Sequence, residues 1–214
     1  MMLLSKTILN FSNNKNFHHQ FPTKNLEYVT KLNCSNSSIQ FLSEKLINLK
    51  YLKCTDTEHI NNILIIPDIF VKLLYIDCSN SNIKKIPNTF INLKYLDCSD
   101  TEINEISNTL INLTFLKFAN SGVKIIPKTL INLKMLNCSN TEISKIPSQL
   151  ILLEKLNCML CKNITKIPNT LINLKKINID NTSIKHIPNT LILLNKQINF
   201  HNLNILIKPN KKTK

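Results

Sequence analysis

Cysteine and histidine have the widest chemical reach of the residues here, and their spacing decides what they can do. The chain has seven Cys and five His in 214 residues. Cys158-Met159-Leu160-Cys161 spells C-x-x-C, a pattern used for redox exchange or for half of a zinc site. A zinc site needs a second pair or nearby histidines, and neither follows in sequence. A one-residue insertion in this stretch accounts for Cys161. The remaining cysteines, Cys34, Cys54, Cys78, Cys98, Cys138 and Cys158, recur in phase, and Phe118 and Ile179 take the same place elsewhere. A position that also accepts Phe and Ile asks for apolar bulk rather than a thiol. Stacked neighbours could approach the ~4.4–6.8 Å Cα separation of a disulfide, but parallel strands align their side chains poorly for its dihedral. His18, His19, His59, His186 and His201 scatter without metal-ligand spacing. G-x-S-x-G and H-E-x-x-H are absent, and one glycine in the whole chain excludes a glycine-rich phosphate loop. The expectation is a non-enzyme with no catalytic residue, no metal and no cofactor.

What positions these residues is a repeat. Aligned on itself, the chain reads L-x-x-L-x-C-x-x-[ST]-x-I-x-x-I-P-x-x-L-I-N. The Cys-type position recurs every 20 residues, except for 24 before Cys78 and 21 before Ile179 and Phe200. Pro67, Pro87, Pro127, Pro147, Pro168 and Pro188 hold the proline position, where Ser107 is the exception. This pattern resembles the leucine-rich-repeat signature L-x-x-L-x-L-x-x-N-x-L, with Cys in the third apolar place. The 20-residue length and the Ile-Pro ending look most like the short repeats of secreted bacterial effectors, and similar arrays occur in large viruses. The resemblance implies a leucine-rich-repeat solenoid (horseshoe), with a parallel β-sheet on its concave face. It covers residues 1–209 as one domain of about ten units. Degenerate capping units fall near 6–25 and 190–209, and 210–214 form a basic tail. Some bacterial effectors of this type carry a separate ubiquitin-ligase domain; no residues here correspond to it.

Two departures from the signature carry structural expectations. Ser37, Thr57, Ser81, Thr101, Ser121, Thr141 and Thr182 occupy the usual Asn position, each preceded by Asn or Asp. We expect the hydroxyl column, supported by the Asx column, to bond the turning backbone of adjacent units and so replace glycine. Units this short, punctuated by proline, leave room for extended or 3-10 backbone on the convex side and little α-helix.

Strand alternation then assigns the faces. Leu96 and Cys98 point inward, so Tyr95 and Asp97 point outward. In register, Tyr51, Tyr75, Tyr95, Phe115 and Met135 form an apolar stripe with lysines at both ends, and Asp77 and Asp97 lie in the column beside it. An apolar ridge with a polar rim suits a protein partner, although stacking between strands alone also explains such a column. Lys84, Lys85, Lys124, Lys145, Lys166 and Lys185 mark a second feature, a basic edge in a chain of net charge +14. That edge would attract nucleic acid or an anionic surface. Without arginine clusters or interleaved aromatics, nucleic-acid binding is the lesser reading. Four extra residues near Glu58-His59-Ile60-Asn61 predict a loop beside the stripe. Residues 1–9 lack a secretory signal pattern, and no stretch reaches the ~20 apolar residues of a membrane span. The expected setting is therefore intracellular and soluble, in the cytoplasm of a cell or of an infected host. Identity of the partner and oligomeric state are not encoded in these patterns.

Overall fold

A computed structural model describes residues 8–14, 24–39, 41–57, 64–194 and 199–200. The inserted loop near Glu58-His59-Ile60-Asn61, four of the histidines (His18, His19, His59, His201), the basic tail and much of both capping units lie outside the described residues.

One strand per unit builds a 10-stranded parallel sheet in sequence order. The strands are β1 (Ile8–Asn10), β2 (Lys31–Asn33), β3 (Tyr51–Lys53), β4 (Tyr75–Asp77), β5 (Tyr95–Asp97), β6 (Phe115–Lys117), β7 (Met135–Asn137), β8 (Lys155–Asn157), β9 (Lys176–Asn178) and β10 (Asn199–Phe200). Three residues make a poor strand alone, so each depends on its neighbours. The central residue, such as Leu96 or Leu116, is fully buried, and the residues flanking it face the other side of the sheet. Register is unbroken: Leu52 pairs with Ile76, Ile76 with Leu96, and Leu96 with Leu116. Inward columns of Leu, Ile and Cys, closed by Phe70, Phe90, Leu110, Leu130 and Leu150, merge into one core along the stack. Burying each such side chain contributes about 1.5–3 kcal/mol.

The turn after each strand differs from expectation in its detail. Asn36, Asp56, Asn80, Asp100, Asn120, Asn140 and Asn181 all adopt left-handed backbone, with φ between 49° and 57°. Asn and Asp tolerate this region, so the Asx column itself does the work of glycine. Side-chain bonds join this column from unit to unit: Asn120 Nδ2 donates to Asp100 Oδ1 (2.7 Å) and Asn140 Nδ2 to Asn120 Oδ1 (2.7 Å). The hydroxyls bond first within their own unit, although Thr141 Oγ1 also lies 3.5 Å from Cys161 Sγ of the next unit. Thr101 Oγ1 donates to the Cys98 carbonyl (2.7 Å) and Ser121 Oγ to that of Phe118 (2.7 Å), each three residues back in its own unit. The left-handed step folds the chain back over that carbonyl, which makes the local bond the shorter path.

The far side of each coil is two successive tight turns, as Leu110 N–H to Ser107 O and Leu113 N–H to Leu110 O show. Irregular backbone cannot form a sheet ladder, so side chains join the units there. Thr129 Oγ1 donates to Asn108 O (2.7 Å) and Asn112 Nδ2 to Ile91 O (2.8 Å), and the same bonds recur in other units. Among the described residues, helix is confined to a 3-10 turn at Leu26–Tyr28 and to α1 (Asn189–Leu194).

Asn120→Val forces a β-branched residue into left-handed backbone and breaks two inter-unit bonds, so a loss of about 2–3 kcal/mol is expected. Asn120→Gly breaks the same two bonds but relieves the backbone, so it should cost about 1–2 kcal/mol less than the valine. Urea denaturation of both variants checks the ranking.

Candidate functional site

On the sheet face away from the core, β3 to β6 align Tyr51, Tyr75, Tyr95 and Phe115 as a continuous stack. Ring centroids are 4.2, 4.1 and 4.3 Å apart, with interplanar angles of 10°, 11° and 12°. The ladder brings equivalent Cα atoms to ~4.8 Å, so rings on identical rotamers must tilt and stack. Each ring is partly exposed, presenting an edge to solvent. Burial pushes the Tyr75 and Tyr95 phenols above their ordinary value, so they remain neutral donors. Met135 extends the column on β7, after which Lys155 and Lys176 are exposed. There the face opens into a groove of about 230 Å³ lined by Met135, Lys155, Asn157, Lys176 and Asn178.

The column beside the rings is tied down. Asp97 Oδ1 accepts the Ser99 N–H (3.2 Å), and Asn137 and Asp77 cap their own turns in the same way. Asp97 is buried, only 7% exposed, and its carboxylate pairs with Lys117 at 3.1 Å. Lys117 Nζ also sits 5.2 Å from the Phe115 ring centroid, a cation–π arrangement. Burial opposes the Lys117 charge, yet the Asp97 carboxylate prevails and holds its pKa above the ordinary lysine value. Asp97 therefore presents no free carboxylate to a partner, and Asp77 is half-buried. Alternation alone assigned the outward direction correctly but could not anticipate the i+2 amide bond or the ion pair between directly opposed Asp97 and Lys117.

The expected basic edge is mixed. Lys84, Lys85, Lys124, Lys145, Lys166 and Lys185 are all exposed. Lys84 pairs with Glu102 (2.9 Å) and Lys124 with Glu142 (2.8 Å), while Glu105 and Ile125 interrupt the same columns. A different edge, just before the strands, was missed. The residue after each inward Leu or Phe, namely Ile47, Val71, Ile91, Ile111, Ile131, Ile151 and Ile172, is 42–53% exposed in seven successive units. The repeat L-I-N contained the signal, because neighbouring residues in a turn cannot both point inward.

Every cysteine is buried and free. Burial raises the Cys78, Cys98 and Cys158 thiols well above their ordinary value. Cys161 takes the hydroxyl position of its unit, three residues after Cys158 as Thr141 is after Cys138, so it is in phase and not a product of the insertion. Hydrogen bonding, with Cys138 first and then Thr141, draws its thiol down to about 6 against the opposing effect of burial. The Cys138 carbonyl, 2.9 Å from its Sγ, accepts a bond that only the thiol form can donate, and complete enclosure shields the sulfur from reagents. Among the described residues no cluster of three His, Cys, Asp or Glu could hold a metal ion. Nor is any helix there long and apolar enough to cross a membrane.

A parallel sheet of three-residue strands, one per 20-residue coil, superposes on known solenoids. The functional domain of InlJ from Listeria monocytogenes, which includes a cysteine ladder, matches 90% of the chain with TM-score 0.73 and 19% identity. The chain has the leucine-rich-repeat fold. Other leucine-rich-repeat neighbours are Listeria monocytogenes InlP (TM-score 0.67, 18% identity, 91% of the chain) and the plant peptide hormone receptor RGFR1 in complex with RGF2 (0.65, 20%, 92%). The chain spans 47% of the InlJ structure, 60% of InlP and 39% of RGFR1, so each neighbour is a longer array or carries more besides. No protein-family model and no curated protein matches the sequence.

In native protein at neutral pH, thiol labelling followed by mass spectrometry should find all seven cysteines protected, with all seven reacting once denaturant unfolds the repeats. Rapid native labelling of Cys161 would show that enclosure does not shield it.

Proposed function

We propose that this leucine-rich-repeat chain is a non-enzymatic binding module that grips a protein partner on the concave face. The contact centres on Tyr51, Tyr75, Tyr95, Phe115 and Met135. The observation that carries this reading is the pre-stacked ring ladder. Its aromatic edges face solvent with their rotamers already fixed by stacking, so little side-chain entropy is lost when a partner covers them. Tyr and Phe on a rigid sheet, with Lys155 and Lys176 at one end, have the composition of a hot spot with a polar rim. Asp77 and Asp97 enter as supports of that surface rather than as partner contacts. RGFR1, one of the fold neighbours, is a receptor seen with RGF2 bound, and this supports a binding role for the fold. Seven free buried thiols support a reducing, intracellular setting, in the chain's own cell or in a host. We read residues 1–209 as one scaffold for this face. Nucleic acid remains the lesser reading, since ion pairs to Glu102 and Glu142 offset part of the lysine edge.

Met135 separates binding from packing better than the tyrosines do. Removing a ring also removes stacking worth about 0.5–1.5 kcal/mol per pair. Lysine already fills the Met135 column in β8 and β9, so the fold accommodates it there. Met135→Lys should therefore abolish capture of the partner in pull-downs read by mass spectrometry, with stability changed by no more than about 0.5 kcal/mol. Undiminished capture by a stably folded Met135→Lys protein would refute the concave site.

A further inference from the structure

We propose that the edge preceding the strands docks on an anionic lipid bilayer through the aliphatic stripe that includes Ile91, Ile111, Ile131, Ile151 and Ile172. These side chains are 47–53% exposed, one per unit and in phase. Over the full column of seven units the strand spacing makes the stripe roughly 29 Å long. No buried network requires isoleucine there, because the unit-to-unit bonds use the backbone carbonyls of these residues, as Asn112 Nδ2 to Ile91 O and Asn132 Nδ2 to Ile111 O show. Such a patch on a soluble face is costly to leave in water and marks a surface that is covered.

Charge selects what covers it. Three residues after each stripe position, immediately before the strands, stand the exposed Lys50, Lys94, Lys134 and Lys175, with Lys72 one residue after Val71. Glu154 stands in the lysine column as well and pairs with Lys175 at 2.7 Å, leaving the other four to set the sign of the edge. Aliphatic side chains next to lysines match the acyl and phosphate layers of an anionic membrane. A second copy of the chain would set lysine against lysine in a protein of net charge +14. A protein partner would call for shaped pockets and aromatic anchors. This stripe is instead a monotonous ridge, and monotony suits a fluid surface that has no fixed shape to match.

The test is co-sedimentation of the full chain with vesicles of phosphatidylcholine alone or mixed with phosphatidylserine, with light scattering of the free protein alongside. Binding should require phosphatidylserine and weaken with added salt. It should fall at least about tenfold in Ile91→Ser/Ile111→Ser/Ile131→Ser. Lys94→Glu/Lys134→Glu, which changes only exposed side chains, should fall comparably and serves if the serine variant melts early. Equal vesicle binding by the parent and both variants, or no binding to phosphatidylserine vesicles, would overturn the proposal. So would a dimer that the serine variant dissolves, which would assign the stripe to a second copy of this chain.

Discussion

Every feature of this molecule depends on each coil turning at the same place with nearly the same dihedral angles. The left-handed Asx residue makes that turn. Because the step falls at the same position of each repeat, the N–H of the Cys-type residue still reaches the next unit's strand, as Cys98 N–H to Lys117 O (2.9 Å) shows. The ladder then runs past the three-residue strands, and Asp100 N–H to Ala119 O (2.8 Å) extends it around the corner. Even the 21-residue unit obeys, with Leu160 accepting φ of 64° at the equivalent position. A leucine held there shows that the stack as a whole can impose the turn on a residue that disfavours it.

Identical turns make identical columns, and the columns generate the surfaces. In the core, a column of Leu and Cys needs only apolar bulk, which is why Phe118 and Ile179 substitute for cysteine without breaking register. On the concave face, the same alignment turns four unremarkable aromatic residues into one stacked ladder. On the edge before the strands it turns scattered isoleucines into a stripe. None of these surfaces arises from one unit. Each is a property of periodicity, which concentrates modest side-chain preferences along a line.

Periodicity is also why so much was legible in the sequence. The phase of Leu93, Leu96 and Cys98, repeated down the chain, implied the solenoid, the parallel sheet, the buried cysteines and the aromatic column. What escaped was local geometry. Ser/Thr hydroxyls were expected to bridge units, but the tight turn makes Thr101 close on its own Cys98 carbonyl. Asp97 was expected to face a partner, yet its own i+2 amide and the lysine directly opposite it on β6 claim it. Cys161 was attributed to an insertion that in fact follows it, a one-residue ambiguity that only the backbone path resolves. The isoleucine stripe went unread because an apolar residue beside another apolar residue looks like core until the turn separates them.

The account rests most heavily on the ring ladder being a contact surface and not merely a packing device. Photo-crosslinking from single positions tests this directly. A benzophenone side chain placed at position 135, beside the ladder, should form a protein adduct in cell extract. The same group at position 145, on the opposite edge of the sheet, should not. Equal adducts from both positions, or an adduct from 145 alone, would contradict the concave-face account.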